Sequence, residues 1–299
     1  MPLNYLRHVR DALAWLKPHE VRQQIEQPVR IGLHAASDLS YFQMESFLCG
    51  QCSDARRAEL AGTLLRAGAE PTPGQYDIDL WSDDLPTAGG GFGFVWQKPE
   101  LTVKQILRDR ERLQLPLARS FPPFRKPVAD RVIRTVAREN AMFSVATALP
   151  DIIPLFSIPW AVGEFASDTA FLTANQIRMA FLLGAASDRA IGYREQRNEI
   201  GSIVAGAFGW RAMARELAGH IPLGGGLIPK AAIAYAGTRV VGLSLERLYR
   251  IGYGLTRAER RIAWDQAFER GKKVAANIID TVKRRRGLPA PQDMVSSPE

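Results

Sequence analysis

From residue 128 onward the chain reads as one helical segment after another, and this limits its fold more than any other feature. VADRVIRTVARENAMFSVATAL, TAFLTANQIRMAFLLGAAS, EIGSIVAGAFGWRAMARELAG, KAAIAYAGTRVVGLSLERLYRIG and TRAERRIAWDQAFERGKKVAANIIDTVKRRR are helix-length segments separated by Pro or Gly clusters. They predict a mainly α protein whose C-terminal helical bundle covers residues 128–286. The residues TRAE at 256–259 form a capping box, in which Thr256 accepts from the backbone of Glu259 and Glu259 reaches back. Ala234, Thr238 and Gly242 recur at small-residue spacing, which lets a second helix approach closely.

Between the first two of these segments lies PDIIPLFSIPW, residues 150–160, inside a long apolar passage. A spanning helix needs about 20 predominantly apolar residues. Asp151 and Glu164 bracket the greasiest part, and Pro150, Pro154 and Pro159 break it. The passage is therefore a broken connection between helices, either buried in the bundle or entering one leaflet as part of a hairpin. If one helix runs from Glu164 onward, then Glu164, Asp168, Asn175 and Arg178 share one narrow side of it. A stripe of this kind either faces solvent, the plainer reading, or forms a polar contact between helices.

The N-terminal part differs. Residues 1–27 hold an amphipathic helix, with Leu6, Val9, Leu13 and Leu16 on one side and Arg7, Arg10 and Lys17 off it, ending near Pro18. Residues 28–115 read as a small α/β region. VRIGLHA is a strand, YFQMESFLCG and ARRAELAGTLLRAG are helical, and QYDIDLW and FGFVWQ are strands joined through PTAGGG as a hairpin or flexible connection. LTVKQILRDRERLQL is a charged helix, the proline-rich PLARSFPPFRKP a linker loop, and residues 287–299 a disordered tail.

The motifs argue against several chemistries. VRIGLHA followed by a helix has the layout of the start of a P-loop GTPase, or of an unrelated small α/β unit. The connecting HAASDLSYFQ lacks the glycines and lysine that cradle phosphate. Cys49 and Cys52 form a CxxC at a helix end, with no second ligand pair for zinc and the wrong context for a redox site. No catalytic constellation stands out, so neither an enzyme nor a cofactor is expected. Gly224, Gly225 and Gly226 precede a helix and, with Lys230, could face a phosphate, although a tight interhelical turn explains them as well.

A formal charge of +8 favours anionic partners. Lys272, Lys273 and KRRR at 283–286 suit lipid headgroups, whereas no nucleic-acid recognition fold accompanies them. Two cysteines fit a reducing, cytoplasmic compartment, and charges interrupt any N-terminal export signal.

Residues roughly 128–255 resemble the YcjF-like bacterial domain, through Asn175-Gln176-Ile177-Arg178-Met179, Ile221-Pro222 with its glycines, Ala234 to Thr238, and Gly242. The resemblance implies a helical, membrane-associated domain of unknown function without established enzymatic activity, found beside GTPases. It directs attention to Gln176, Arg178 and Gly224 to Gly226 as interaction sites. The expectation is thus a non-enzymatic accessory protein at the cytoplasmic face of a bacterial membrane, or a soluble module regulating a GTPase. Its expected partners are an anionic membrane surface, a GTPase and further copies of the chain.

Overall fold

The computed structural model describes residues 16–50, 53–68, 75–147, 168–206 and 227–285. It is mainly helical, with a small parallel sheet in the N-terminal region. The chain divides into two compact units, an α/β unit of residues 18–131 and 182–192, and a helical unit formed by the remainder.

In the α/β unit, helix α1 (Pro18–Ile25) starts at the proline where the sequence suggested a helix would end. Proline suits a first helical position, because its missing N–H would have no partner there. The strands are β1 (Ile31–His34), β2 (Leu64–Arg66), β3 (Ile78–Ser82) and β4 (Phe92–Phe94). They form one sheet in the order β2-β1-β3-β4, and every pairing is parallel. All four residues of β1 are buried, as expected for an inner strand of a parallel sheet covered on both faces. Helices α2 (Asp38–Cys49) and α3 (Asp54–Leu60) connect β1 to β2.

Three sequence expectations change here. Leu64–Arg66, read as the end of a helix, is strand β2, aligned with Ile31–Leu33 of β1. Of the two readings of PTAGGG, hairpin or flexible connection, the hairpin fails, since β4 runs parallel to β3 with Leu80 opposite Phe92. Gly91 lies so close to Trp81 that a Cβ there would come within 2.5 Å of the indole Nε1 and 2.9 Å of the Asp79 carbonyl. Only glycine permits that approach.

The third change concerns PLARSFPPFRKP. After α4 (Pro99–Asp109) and a 3-10 turn at Glu111–Leu113, this stretch enters α5 (Gln114–Ser120) and the start of α6 (Pro122–Ala146). It is no linker, because Leu117, Ala118, Phe121 and Phe124 are fully buried. Pro116, Pro122 and Pro123 stand in first helical turns, where the backbone N–H lacks an intrahelical acceptor.

In the helical unit the later part of α6 packs with α7 (Asp168–Ala186), α9 (Leu227–Ile251) and α10 (Arg257–Arg285), and residues 197–206 form α8. Ala137, Ala141 and Val145 of α6 meet Ala231 and Tyr235 of α9 and Ala275, Ile278 and Val282 of α10 in one buried cluster. Phe143 and Phe171 stack at 3.8 Å between α6 and α7. Gln196 donates to the Ala180 carbonyl at 2.8 Å and to the Tyr249 hydroxyl at 2.7 Å. The expected N-terminal helix before residue 16, PDIIPLFSIPW with Glu164, and the tail lie outside the described residues.

Candidate functional site

The small-residue spacing on α9 sets how near its neighbours come. A Cβ on Gly242 would fall 2.7 Å from Ile133 Cγ1 and 3.0 Å from the Met179 sulfur, so α6 and α7 close on α9 where it lacks a side chain. One turn earlier, Thr238 is fully buried and receives polar side chains from both helices. Asn140 Nδ2 donates to Thr238 Oγ1 at 2.7 Å, and Gln176 Nε2 donates to the same oxygen at 3.2 Å. Thr238 in turn donates to the Ala234 carbonyl at 2.8 Å. A hydroxyl offers one donor and two acceptor positions, and here all three are used.

The network continues through α7. Asn175 Nδ2 donates to Asn140 Oδ1 at 2.8 Å and also faces Glu139 Oε2 at 3.1 Å. Arg178 Nε donates to Asn175 Oδ1 at 2.9 Å, and its guanidinium pairs with Glu139. The polar stripe is therefore a contact between helices and not a solvated face, at least for Asn175, buried, and Arg178, half-buried. Gln176 and Arg178, singled out in the sequence, belong to one network; Asn140 and Glu139 on α6 were not singled out. Three helices share these bonds, so the arrangement fixes helix register. Lys230 lies apart in the first turn of α9, donating to Thr147 Oγ1 at 3.5 Å. Gly224, Gly225 and Gly226 lie outside the described residues.

In the α/β unit, the loop where a P-loop would sit is closed by the protein's own carboxylate. Ser37 caps α2 by accepting from the Ser40 backbone N–H at 3.2 Å. Asp84, just past β3, accepts from the Ser40 hydroxyl at 2.7 Å and the Ser37 hydroxyl at 3.3 Å. Desolvation works to raise its pKa, but these bonds, with others from the Ala36 backbone and Ser82, hold it below the usual carboxylate range. An anion is thus already present at this helix start.

Beneath this end of the sheet, His34 is fully buried, its Nδ1 facing the Gly68 carbonyl at 3.0 Å and its Nε2 facing Asp79 Oδ1 at 2.9 Å. Its ring stacks on Trp81 at 4.0 Å, as the register pairing His34 with Trp81 requires. The alternation in YDIDLW placed Asp79 and Trp81 on one face, but only the pairing of β1 with β3 brings His34 to them.

A cavity of about 310 Å³ opens between α2, α3 and β2, lined by Phe42, Ser46, Cys49, Leu60 and Leu64 and by the paired Glu45 and Arg66. It suits a small apolar group, and its described lining offers no catalytic pair. Cys49 ends α2 as the sequence indicated, and its CxxC partner Cys52 lies outside the described residues. Among the described residues no cluster of three or more His, Cys, Asp or Glu could hold a metal.

The capping box at the start of α10 forms as read. Thr256 N–H donates to Glu259 Oε2 at 2.9 Å, and Glu259 N–H donates to Thr256 Oγ1 at 3.3 Å. The Arg247 guanidinium donates to the Glu259 carboxylate at 2.5 Å and, with the bonds that the carboxylate accepts from the Thr256 N–H and from the Thr256 hydroxyl at 2.8 Å, lowers its pKa to about 2.

No family model, curated protein or solved structure matches this chain. The residues themselves must therefore supply the argument for function. What they offer is a helix-registering network, a carboxylate where a phosphate would bind, and a strongly cationic last helix.

Proposed function

We propose that this is a non-enzymatic accessory protein that attaches to the anionic cytoplasmic face of a bacterial membrane. The observation behind this reading is α10, which has nine basic residues against four acidic ones. Arg257, Arg260, Arg261, Arg270, Lys273 and Arg284 are all exposed, while Ala267, Gly271, Ala275, Ile278 and Val282 turn inward. Cations held near an anionic surface contribute about 1 kcal/mol each. No described helix is long and apolar enough to cross a membrane, so the described residues favour surface contact over insertion. The resemblance of residues 128–255 to the YcjF-like domain points the same way.

The test is fractionation of cell membranes with successive high-salt, alkaline carbonate and detergent washes. Release by salt is the expected result; recovery in the soluble fraction after low-salt lysis, with no binding to lipid, would sink the reading.

A second reading, a soluble module that regulates a GTPase, draws on Leu39 and Phe42, which stand 66% and 62% exposed on α2, Phe42 also lining the cavity. A pull-down that returns no GTPase would count against it.

A further inference from the structure

The connection between α9 and α10 is largely exposed. Of the thirteen residues 250–262, ten are exposed, three are half-buried and none is buried. Isolated exposed apolar residues are ordinary. Here Ile251, Tyr253 and Ile262 are 41%, 56% and 58% exposed within one short stretch, interleaved with exposed Arg257, Arg260 and Arg261. Among the described residues those three arginines make no ion pair. The stretch has one carboxylate, Glu259, and Arg247 from α9 already pairs with it. Its uncompensated charge is therefore positive, and apart from Thr256 its exposed side chains are arginines or mainly apolar.

Resting on the membrane reading above, we propose that this tip is the part of the protein that enters the headgroup layer of an anionic bilayer. Arginines would meet phosphates while Ile251, Tyr253 and Ile262 reach the boundary of the acyl chains. Nucleic acid shares the phosphate chemistry but fits the tip less well. The Arg247 guanidinium lies 5.0 Å from the centre of the Tyr253 ring, covering a face on which a base would stack. The two isoleucines offer a base edge no hydrogen bond, whereas a lipid interface takes both directly. Tyr253, apolar in body with a polar hydroxyl, is suited to the same depth.

The experiment uses the full chain and two sets of vesicles, phosphatidylcholine alone and phosphatidylcholine with about one third phosphatidylglycerol, a composition that gives the surface its negative potential. Wild type is expected to sediment with the second set only. The combined variant Ile251→Ser, Tyr253→Ser, Ile262→Ser should bind about tenfold more weakly, since the apolar contribution is lost while the arginines stay. Its melting temperature reports whether the fold is intact. As an independent readout, Ile262→Trp should gain fluorescence quenched by brominated acyl chains. Wild-type binding that the triple variant retains, without quenching at position 262, overturns the tip and leaves the membrane reading standing. Absence of wild-type binding to either vesicle overturns both, as does tighter binding to a DNA duplex at the same salt.

Discussion

Thr238 has no spare hydrogen-bonding capacity, so it is the residue at which the buried network is most exposed to change. Thr238→Val keeps the shape and deletes the oxygen, leaving the Asn140 and Gln176 amides without that acceptor. The expected loss is about 1–3 kcal/mol in chemical denaturation, the usual cost of leaving a buried polar group unsatisfied. Gly242→Ala should cost a similar amount for a different reason, since its Cβ would press on Ile133. Ile133→Ala removes both γ carbons that the new Cβ would meet, so the two substitutions together should cost less than the sum of their separate losses, a coupling that a double-mutant cycle measures. Glu259 adds a pH-dependent contribution. Its folded pKa of about 2 lies below the ordinary value, so the stability it provides is full above the unfolded pKa of about 4.3. That stability fades as pH falls toward 2. In Glu259→Gln, melting curves collected across that window should lose part of their acid sensitivity; a variant with the wild-type profile would contradict the assignment.

At the scale of elements, the sequence was informative wherever a pattern was local. The capping box, the strand VRIGLHA and the helical periodicity of α7, α9 and α10 depend on neighbours within a few positions, and each appears as read. What could not be read depends on partners distant in sequence. Leu64–Arg66 is a strand because β1 lies beside it, not because its own residues exclude a helix. The prolines of 116–127 suggested a loop, but Pro116, Pro122 and Pro123 stand in first helical turns, where they break no intrahelical bond, Pro127 lies inside α6, and the buried Leu117, Phe121 and Phe124 supply the packing. The polar side of α7 could be assigned to solvent or to a helix contact only once Asn140 and Thr238 were in place. The α9–α10 pairing gives a test at this scale. A Cβ on Gly271 would lie 2.9 Å from the Ala232 carbonyl oxygen and 3.0 Å from its Cα, backbone atoms that cannot rotate away. Gly271→Ala should therefore force the two helices apart and lower the melting temperature more than Gly242→Ala, where a side chain can adjust.

For the molecule as a whole, the question is whether the α/β unit adds nucleotide chemistry to a cationic helical protein. A parallel sheet with a loop leading into a helix is the usual setting for phosphate, and the first backbone amides of such a helix are its binding groups. In this chain one of those amides is committed and a carboxylate faces the serines beside it. The Ser40 N–H is bonded to Ser37, and the hydroxyls of both serines point to Asp84, whose bonds favour its charged form. A nucleotide phosphate would have to displace that carboxylate or sit against its charge, with no lysine in HAASDLSYFQ to offset the repulsion. Ligand at about 100 times its dissociation constant would stabilise a binding protein by about 2.7 kcal/mol, roughly 5 °C or more for a domain of this size. Millimolar GTP or ATP with magnesium should therefore leave the melting temperature of the full chain unchanged. A shift of that size would mean that Asp84 yields to phosphate, and the α/β unit would then be a nucleotide site after all.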